Sequence, residues 1–225
     1  MRALLSWSSG KDSAWTLHVL RGCGNVVAVG LLTTVNRDMK RVAMHAVREE
    51  LLEAQAYAAG LPLWKVPIPH ICSNDDYEHA MGEAMARAKS EGIEAVAFGD
   101  LFLEDIRKYR EEKLRGTGIR PLFPLWGMDT GTLARNMIRG GLKARLTCVD
   151  PKQLDASFAG REFDESLLSD RPPTCEPCGE KGEFHTFTYA GPMFTAPVAI
   201  VAGEVVTRDG FVFADLTSGA GAHRP

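Results

Sequence analysis

The sequence predicts an α/β fold, a parallel sheet with helices on both faces, followed by a smaller C-terminal α+β domain. Three observations predict it. Short apolar runs of strand length alternate with longer stretches of helical spacing through the first half of the chain. Parallel neighbours need crossover connections, and the helical stretches between the runs supply them. After about Pro151 the pattern changes to a turn-rich segment and then to short β-type runs.

Residues 3–7, 26–33, 63–67 and 95–98 are the apolar runs, and residues 12–21, 44–59 and 74–91 lie between them with helical spacing. The middle helix is the clearest. Val47, Leu51, Ala54 and Ala58 share one face, Arg48, Glu49, Glu50 and Glu53 fall mostly off it, and Gly60 then Pro62 mark its end. Trp7, Trp15 and Trp64 read as core residues, while His45, at the start of that helix, faces either a ligand or the surface or core. A charged helix is expected over 105–115 and another over 130–140, capped by Asp129 or Thr130, with a strand over 144–149. Residues 169–182 hold prolines, glycines and Cys175-x-x-Cys178 and read as loop. The runs 184–189, 198–202 and 211–216, with a turn at Arg208-Asp209-Gly210, read as antiparallel β, and residues 218–225 as a frayed tail.

Composition narrows the function classes. The chain of 225 residues carries 26 Lys+Arg against 29 Asp+Glu, a formal net charge of −3, which argues against a basic groove for nucleic acid. No apolar run approaches the ~20 residues that span a bilayer, and residues 3–7 are too short for the core of a signal peptide. The 5 cysteines are irregularly spaced and form no disulfide framework, so the expected compartment is cytoplasmic. Cys175 and Cys178 would need two more ligands for zinc, and only His185 is near; they read as structural.

The most informative segment is Ser8-Ser9-Gly10-Lys11-Asp12-Ser13, directly after the first strand and opening the first helix. Small residues let the backbone approach a ligand, the free N–H groups of a helix start point at it, and the helix dipole and Lys11 add positive charge. Together they make an anion cradle suited to phosphate. The nucleotide P-loop wants Ser or Thr straight after its lysine, but here Asp12 follows Lys11 and the pattern's earlier glycine is missing. An ordinary φ is expected at Ser9, because a positive φ costs a residue with a Cβ on the order of 1 kcal/mol.

Two further constellations stand out. Gly99 and Asp100 end the fourth strand, on the carboxyl rim where open parallel sheets bind ligands. Asp100 beside polyphosphate suits Mg²⁺, and otherwise reads as a cap of the next helix. On that helix Glu104, Arg107 and Glu111 form one stripe, either functional or a solvated salt-bridged face. Glu180 and Glu183 flank a glycine turn entering a strand, where they either hold an amine or ammonium or merely build the turn.

The segment 8–13 resembles the pyrophosphate loop of the N-type ATP pyrophosphatases, usually written S-G-G-x-D-S, with Ser9 in place of the first glycine. With Gly99-Asp100, the E-x-x-R-x-x-x-E helix, Pro124-Leu125-Trp126 and C-G-E-K-G-E-F-H-T-F from Cys178, nearly the whole chain is similar to the diphthine–ammonia ligase family. The resemblance implies a HUP-like PP-loop ATP-binding domain over residues 1–115 and a substrate-binding domain over 116–225. It implies an ATP-driven amidation in which a carboxylate is adenylated and ammonia substituted, releasing AMP and pyrophosphate. Family members that act on diphthine modify a side chain of translation elongation factor 2. Tyr109, Lys181 and His185 depart from the eukaryotic pattern and look more like bacterial members, so the acceptor does not carry over: it is a protein side chain such as diphthine or a small molecule.

The implied nucleotide set is Ser8, Ser9, Gly10, Lys11, Asp12, Ser13, Thr33, Gly99 and Asp100, with Mg²⁺ on Asp12 and Asp100. The implied catalytic set is Lys11, Asp12, Glu104, Arg107, Glu111, Glu180 and Glu183, with Arg107 gripping the acceptor carboxylate and the two late glutamates holding ammonium. Lys11→Ala and Asp12→Ala are expected to abolish AMP release and leave the fold intact. A tRNA-thiolating enzyme and a non-catalytic adenine-nucleotide-binding protein remain as alternatives, and a homodimer stays open.

Overall fold

The computed structural model describes residues 1–37, the backbone of 41–42, and residues 47–219. His45, the first residues of the helix expected from 44, and the end of the tail, 220–225, lie outside the described residues. In chain order the first part contains β1 (Arg2–Ser6), α1 (Lys11–Cys23), β2 (Val27–Asn36), β3 (Arg41–Val42), α2 (Glu49–Ala59), β4 (Leu63–Ile68), α3 (Asn74–Ser90), β5 (Ala95–Ala97), α4 (Glu104–Leu114) and β6 (Arg120–Leu122). Then come α5 (Thr130–Arg139), β7 (Lys143–Val149), a 3-10 turn (Ala156–Phe158), α6 (Glu165–Asp170), β8 (Phe184–Ala190), β9 (Ile200–Arg208) and β10 (Phe211–Ser218).

The first sheet is parallel through β4, β2, β1, β5 and β6, in that order, with β3 antiparallel on the end of β2. The chain winds outward from β1 toward β2 and β4, then returns to β1's other side at β5. The carboxyl ends of β1 and β5 therefore flank the switch point, where such sheets open a crevice. Alternation along β1 explains the two covering layers: Leu5 packs with Ala14, Leu17, Leu51 and Leu52 of α1 and α2, whereas Leu4 packs with Met85, Ala88 and Leu114 of α3 and α4. Both leucines are fully buried. α3 opens with a reciprocal capping box between Ser73 and Asp76, and α2 ends on Gly60 at φ +65.

The second sheet is antiparallel, ordered β8-β7-β10-β9. Its inner side chains Ala144, Leu146, Val149 and Phe187 join the same core as α1 and α2. Backbone bonds run between the sheets' regions as well, from Thr188 N to Ser9 O (3.0 Å) and from Thr195 N to Ala58 O (2.8 Å). Trp7, Trp15 and Trp64 are core residues, as expected. Among the described residues no helix is long and apolar enough to cross a membrane.

Candidate active site

The turn from β1 into α1 is set by tertiary partners. Ser9 has φ +68, which corrects the ordinary φ expected there. Its carbonyl accepts from Thr188 N and from Gln55 Nε2, each at 3.0 Å, and its hydroxyl donates to the Ser8 carbonyl. These bonds offset the ~1–2 kcal/mol that the left-handed region costs a residue with a Cβ. Gly10, the extended N-cap of α1, has no side-chain cap bond; its N–H meets Ser8 Oγ at 3.3 Å, and Lys11 N donates to Thr186 Oγ1 at 3.0 Å. The N–H groups of Asp12 and Ser13 stand in the first turn, where no intrahelical acceptor exists. Gly99 lies against them: a Cβ there would stand 3.0 Å from Asp12 C and Ser13 N. Only glycine lets the end of β5 approach the helix start this closely.

Lys11 is buried, at 2% exposure. Its ammonium meets Asp12 Oδ2 at 2.8 Å and the Cys178 carbonyl, and lies over the rings of Phe163 and Phe184 at 5.5 and 5.4 Å. Burial alone would lower its pKa, but the Asp12 carboxylate beside it holds it above the usual value. Burial lifts the Asp12 carboxyl, and Lys11 offsets this only in part. Asp12 Oδ1 is buried with no hydrogen-bond partner in the protein. The ammonium thus ties the loop to the segment carrying Cys178, a tie that Lys11→Ala would remove together with the partner of Asp12 Oδ2.

That segment, residues 175–183, is organised by its own glutamates. Glu183, 1% exposed, accepts from Glu176 N (2.8 Å) and Lys181 N (3.0 Å). Glu176 accepts from Cys178 N and Glu180 N, each at 2.9 Å, through one oxygen, and its Oε1 is buried without a partner. Gly179 has φ +72, and a Cβ would stand 2.8 Å from the Phe184 carbonyl. Glu180 alone of these three sits nearer solvent, accepting from Leu101 N at 2.8 Å. Burial raises its pKa to about 7, with Asp12 and Asp100 adding to the rise and the Leu101 N–H and Lys11 opposing it. A carboxyl poised there can take or give a proton near neutrality. Cys175 and Cys178 are each 1% exposed, and burial pushes both thiols up, Cys175 to about 11.

Asp100 pairs with Arg110 Nε at 3.3 Å, and Arg110 in turn lies over Phe98. The N-cap of α4 is Leu103, so capping is not the task of Asp100. On α4, Arg107 binds Glu111 at 2.8 Å and stacks over Phe123 and Trp126 at 4.9 and 4.8 Å, while Glu104 is exposed in the first turn. The structure thus brings Lys11, Asp12, Gly99, Asp100 and Glu180 together and leaves the Arg107–Glu111 pair on its own aromatic platform.

A cavity of about 1130 Å³ opens beside the loop. Ser8, Thr33, Phe98, Tyr109, Arg110 and His185 are among its walls, with α3 and α4 on either side. Burial, with Lys11 adding, lowers the His185 pKa to about 4, so the imidazole is neutral at pH 7. Sequence reasoning missed Gln55, Glu176, Thr186 and Thr188. The signals existed for two of these sets: Gln55 is polar on the apolar face with Leu51, Leu52 and Ala59, and Thr186 and Thr188 share one face of β8.

Residues 1–121 match the family model described as diphthamide synthase N-terminal domain, and residues 129–215 the one described as diphthamide synthase C-terminal domain. The chain is similar to diphthine–ammonia ligase of Bos taurus, 25% identical over 238 residues, covering 96% of this chain and 89% of that one. The Danio rerio diphthine–ammonia ligase is 28% identical over 238 residues, covering 96% and 92%. Among solved structures, the U34-tRNA thiolase NcsA from Methanococcus maripaludis aligns with a TM-score of 0.39 and 15% identity, over 60% of this chain and 56% of that one. With both of its domain models matched in order along one chain, the protein belongs to the diphthamide synthase family.

Proposed function

We propose that this chain is an ATP-dependent ligase that adenylates a carboxylate and substitutes ammonia, releasing AMP and pyrophosphate. The observation that carries the reading is the turn Ser8–Ser13, a helix N-terminus at the switch point of a parallel sheet, beside a cavity with room for a nucleoside. In this reading the amides of Ser9, Gly10, Asp12 and Ser13 hold the β and γ phosphates while that of Lys11 stays with Thr186 Oγ1, and the nucleoside enters past Thr33 and Phe98. Lys11 contributes charge from behind the loop while ordering it. In-line attack on the α phosphorus needs positioning and charge neutralisation more than covalent help.

The residues present fit Mg²⁺. It favours one or two carboxylates plus phosphate oxygens, and Asp12 offers a buried, unpartnered Oδ1 near Asp100. When bound there, Mg²⁺ supplies charge neutralisation at the phosphate oxygens. Glu180, with its pKa near 7, takes the proton from ammonium so that ammonia attacks the adenylated carboxyl. Glu183, bound by two backbone amides, keeps Glu180 in register through the turn. Arg107, stacked on Trp126 and bonded through Nε to Glu111, remains the candidate grip for the acceptor carboxylate. The first part of the chain, near residues 1–115, then serves ATP and the remainder serves the acceptor, with β8 of the later part completing the loop.

The acceptor is a carboxylate on a protein side chain, such as diphthine, or on a small molecule. The test is a product analysis with labelled ATP, Mg²⁺, ammonium and candidate acceptors. AMP and pyrophosphate in equal amounts, dependent on ammonium and acceptor, are expected; ADP and phosphate, or acceptor-independent loss of ATP, would contradict it.

A further inference from the structure

We propose that Gln55 is a positioning residue that sets the anion-binding conformation of the loop, acting through the peptide between Ser9 and Gly10; this rests on the nucleotide reading above. Gln55 is fully buried on α2 and uses its amide on three partners. Its Oε1 accepts from Trp7 Nε1 at 2.9 Å, and its Nε2 donates to Ser9 O at 3.0 Å and Thr188 O at 2.6 Å. The indole can only donate and the two carbonyls can only accept, so partner chemistry fixes which end of the amide faces which.

The consequence lies one atom further along. In a planar trans peptide the C=O and N–H point in opposite directions. Holding the Ser9 carbonyl toward Gln55 and β8 turns the Gly10 N–H the other way, toward the hydroxyl of Ser8, a residue that lines the cavity. It also holds Ser9 at φ +68, a conformation a serine leaves when released. A relaxed Ser9–Gly10 peptide would present its carbonyl, an acceptor, to an anion that needs donors. Gln55 touches no substrate in this scheme; together with Thr188 N, which donates to the same Ser9 carbonyl at 3.0 Å, it keeps the cradle donor-lined.

The experiment measures Mg·ATP affinity by calorimetry for the wild type, Gln55→Met, Ser9→Gly and the double variant. Methionine keeps the volume and removes both donors. Gln55→Met is expected to weaken binding about tenfold or more, the scale of losing hydrogen bonds to two buried carbonyls. Glycine takes positive φ freely, so adding Ser9→Gly to Gln55→Met should recover affinity, by more than Ser9→Gly gains in the wild-type background. A merely structural role would give additive effects. Should Gln55→Met fold poorly, Gln55→Glu supplies the answer through pH. Ionised, it opposes the two carbonyls; protonated, it regains one donor. Its affinity relative to wild type should therefore rise as pH falls from 8 to 5, with near-ultraviolet dichroism constant. Gln55→Met binding like wild type, or Gln55→Glu showing no pH dependence relative to it, overturns the proposal alone. A wild-type chain that binds no Mg·ATP overturns the nucleotide reading and the proposal with it.

Discussion

Lys11→Met removes the ammonium and keeps an apolar stem between Phe163 and Phe184. What remains is the Asp12 carboxylate, already lifted by burial, with Oδ1 unpartnered from the start and Oδ2 now deprived of the Lys11 ammonium. Breaking one side of a buried pair costs about 3–5 kcal/mol. The Asp12 side chain keeps 25% exposure, which places the cost at the lower end, about 3 kcal/mol. For a chain of this size that lowers the melting temperature by roughly 6–12 °C. Urea unfolding followed by tryptophan fluorescence measures it, with the slope unchanged if only stability moved. Asp12→Asn in the Lys11→Met background should restore part of the loss, because the stranded charge goes with it. A single variant that melts within about 2 °C of wild type, or a double variant less stable than either single, would refute the buried tie.

Three other outcomes follow from the same geometry. His185 has a folded pKa near 4 against 6.5, so the unfolded chain binds its proton first; stability is lost as pH falls from 6.5 through 4, and His185→Asn should flatten that acid limb in urea titrations. Glu180 works deprotonated with a pKa near 7, so AMP release should climb as pH rises through 7; Glu180→Gln should cut it ~10²–10⁴-fold and remove the rise, measured by AMP formation across pH 5.5–8.5. Of the 5 thiols, Cys23 and Cys72 should react with an aromatic disulfide in the folded protein, whereas the buried Cys148, Cys175 and Cys178 react only on unfolding.

The β1–loop–α1 unit was legible because its signals are local: an apolar run, small residues, a lysine and a helix start in unbroken succession. Leu4 and Leu5 likewise announce a strand buried on both faces. What escaped depends on contacts distant in sequence. The positive φ at Ser9 follows from Gln55 and Thr188, and the burial of Lys11 from Cys178, Phe163 and Phe184, partners that no spacing rule connects to residues 8–13. β6 is three residues long and contains Pro121, so its pattern is too short to separate from loop. β9 runs on to Arg208 rather than ending near 202, because pairing with β10 carries it past Gly203 and Glu204. The helix expected from 44 starts at Glu49, with Val47 and Arg48 ahead of it. Glu180 and Glu183 looked alike in sequence, yet one faces the acidic cluster beside the loop and the other is consumed by backbone amides.

Binding of a diphosphate group by the turn leaving β1 is tested most directly by titrating the ¹⁵N-labelled chain with inorganic pyrophosphate and Mg²⁺ and following its backbone amides. The largest shifts should fall on Ser9, Gly10, Asp12 and Ser13 and on Gly99, saturating together. Shifts centred elsewhere, with residues 9–13 unmoved at saturation, would contradict the assignment of this turn as the phosphate cradle.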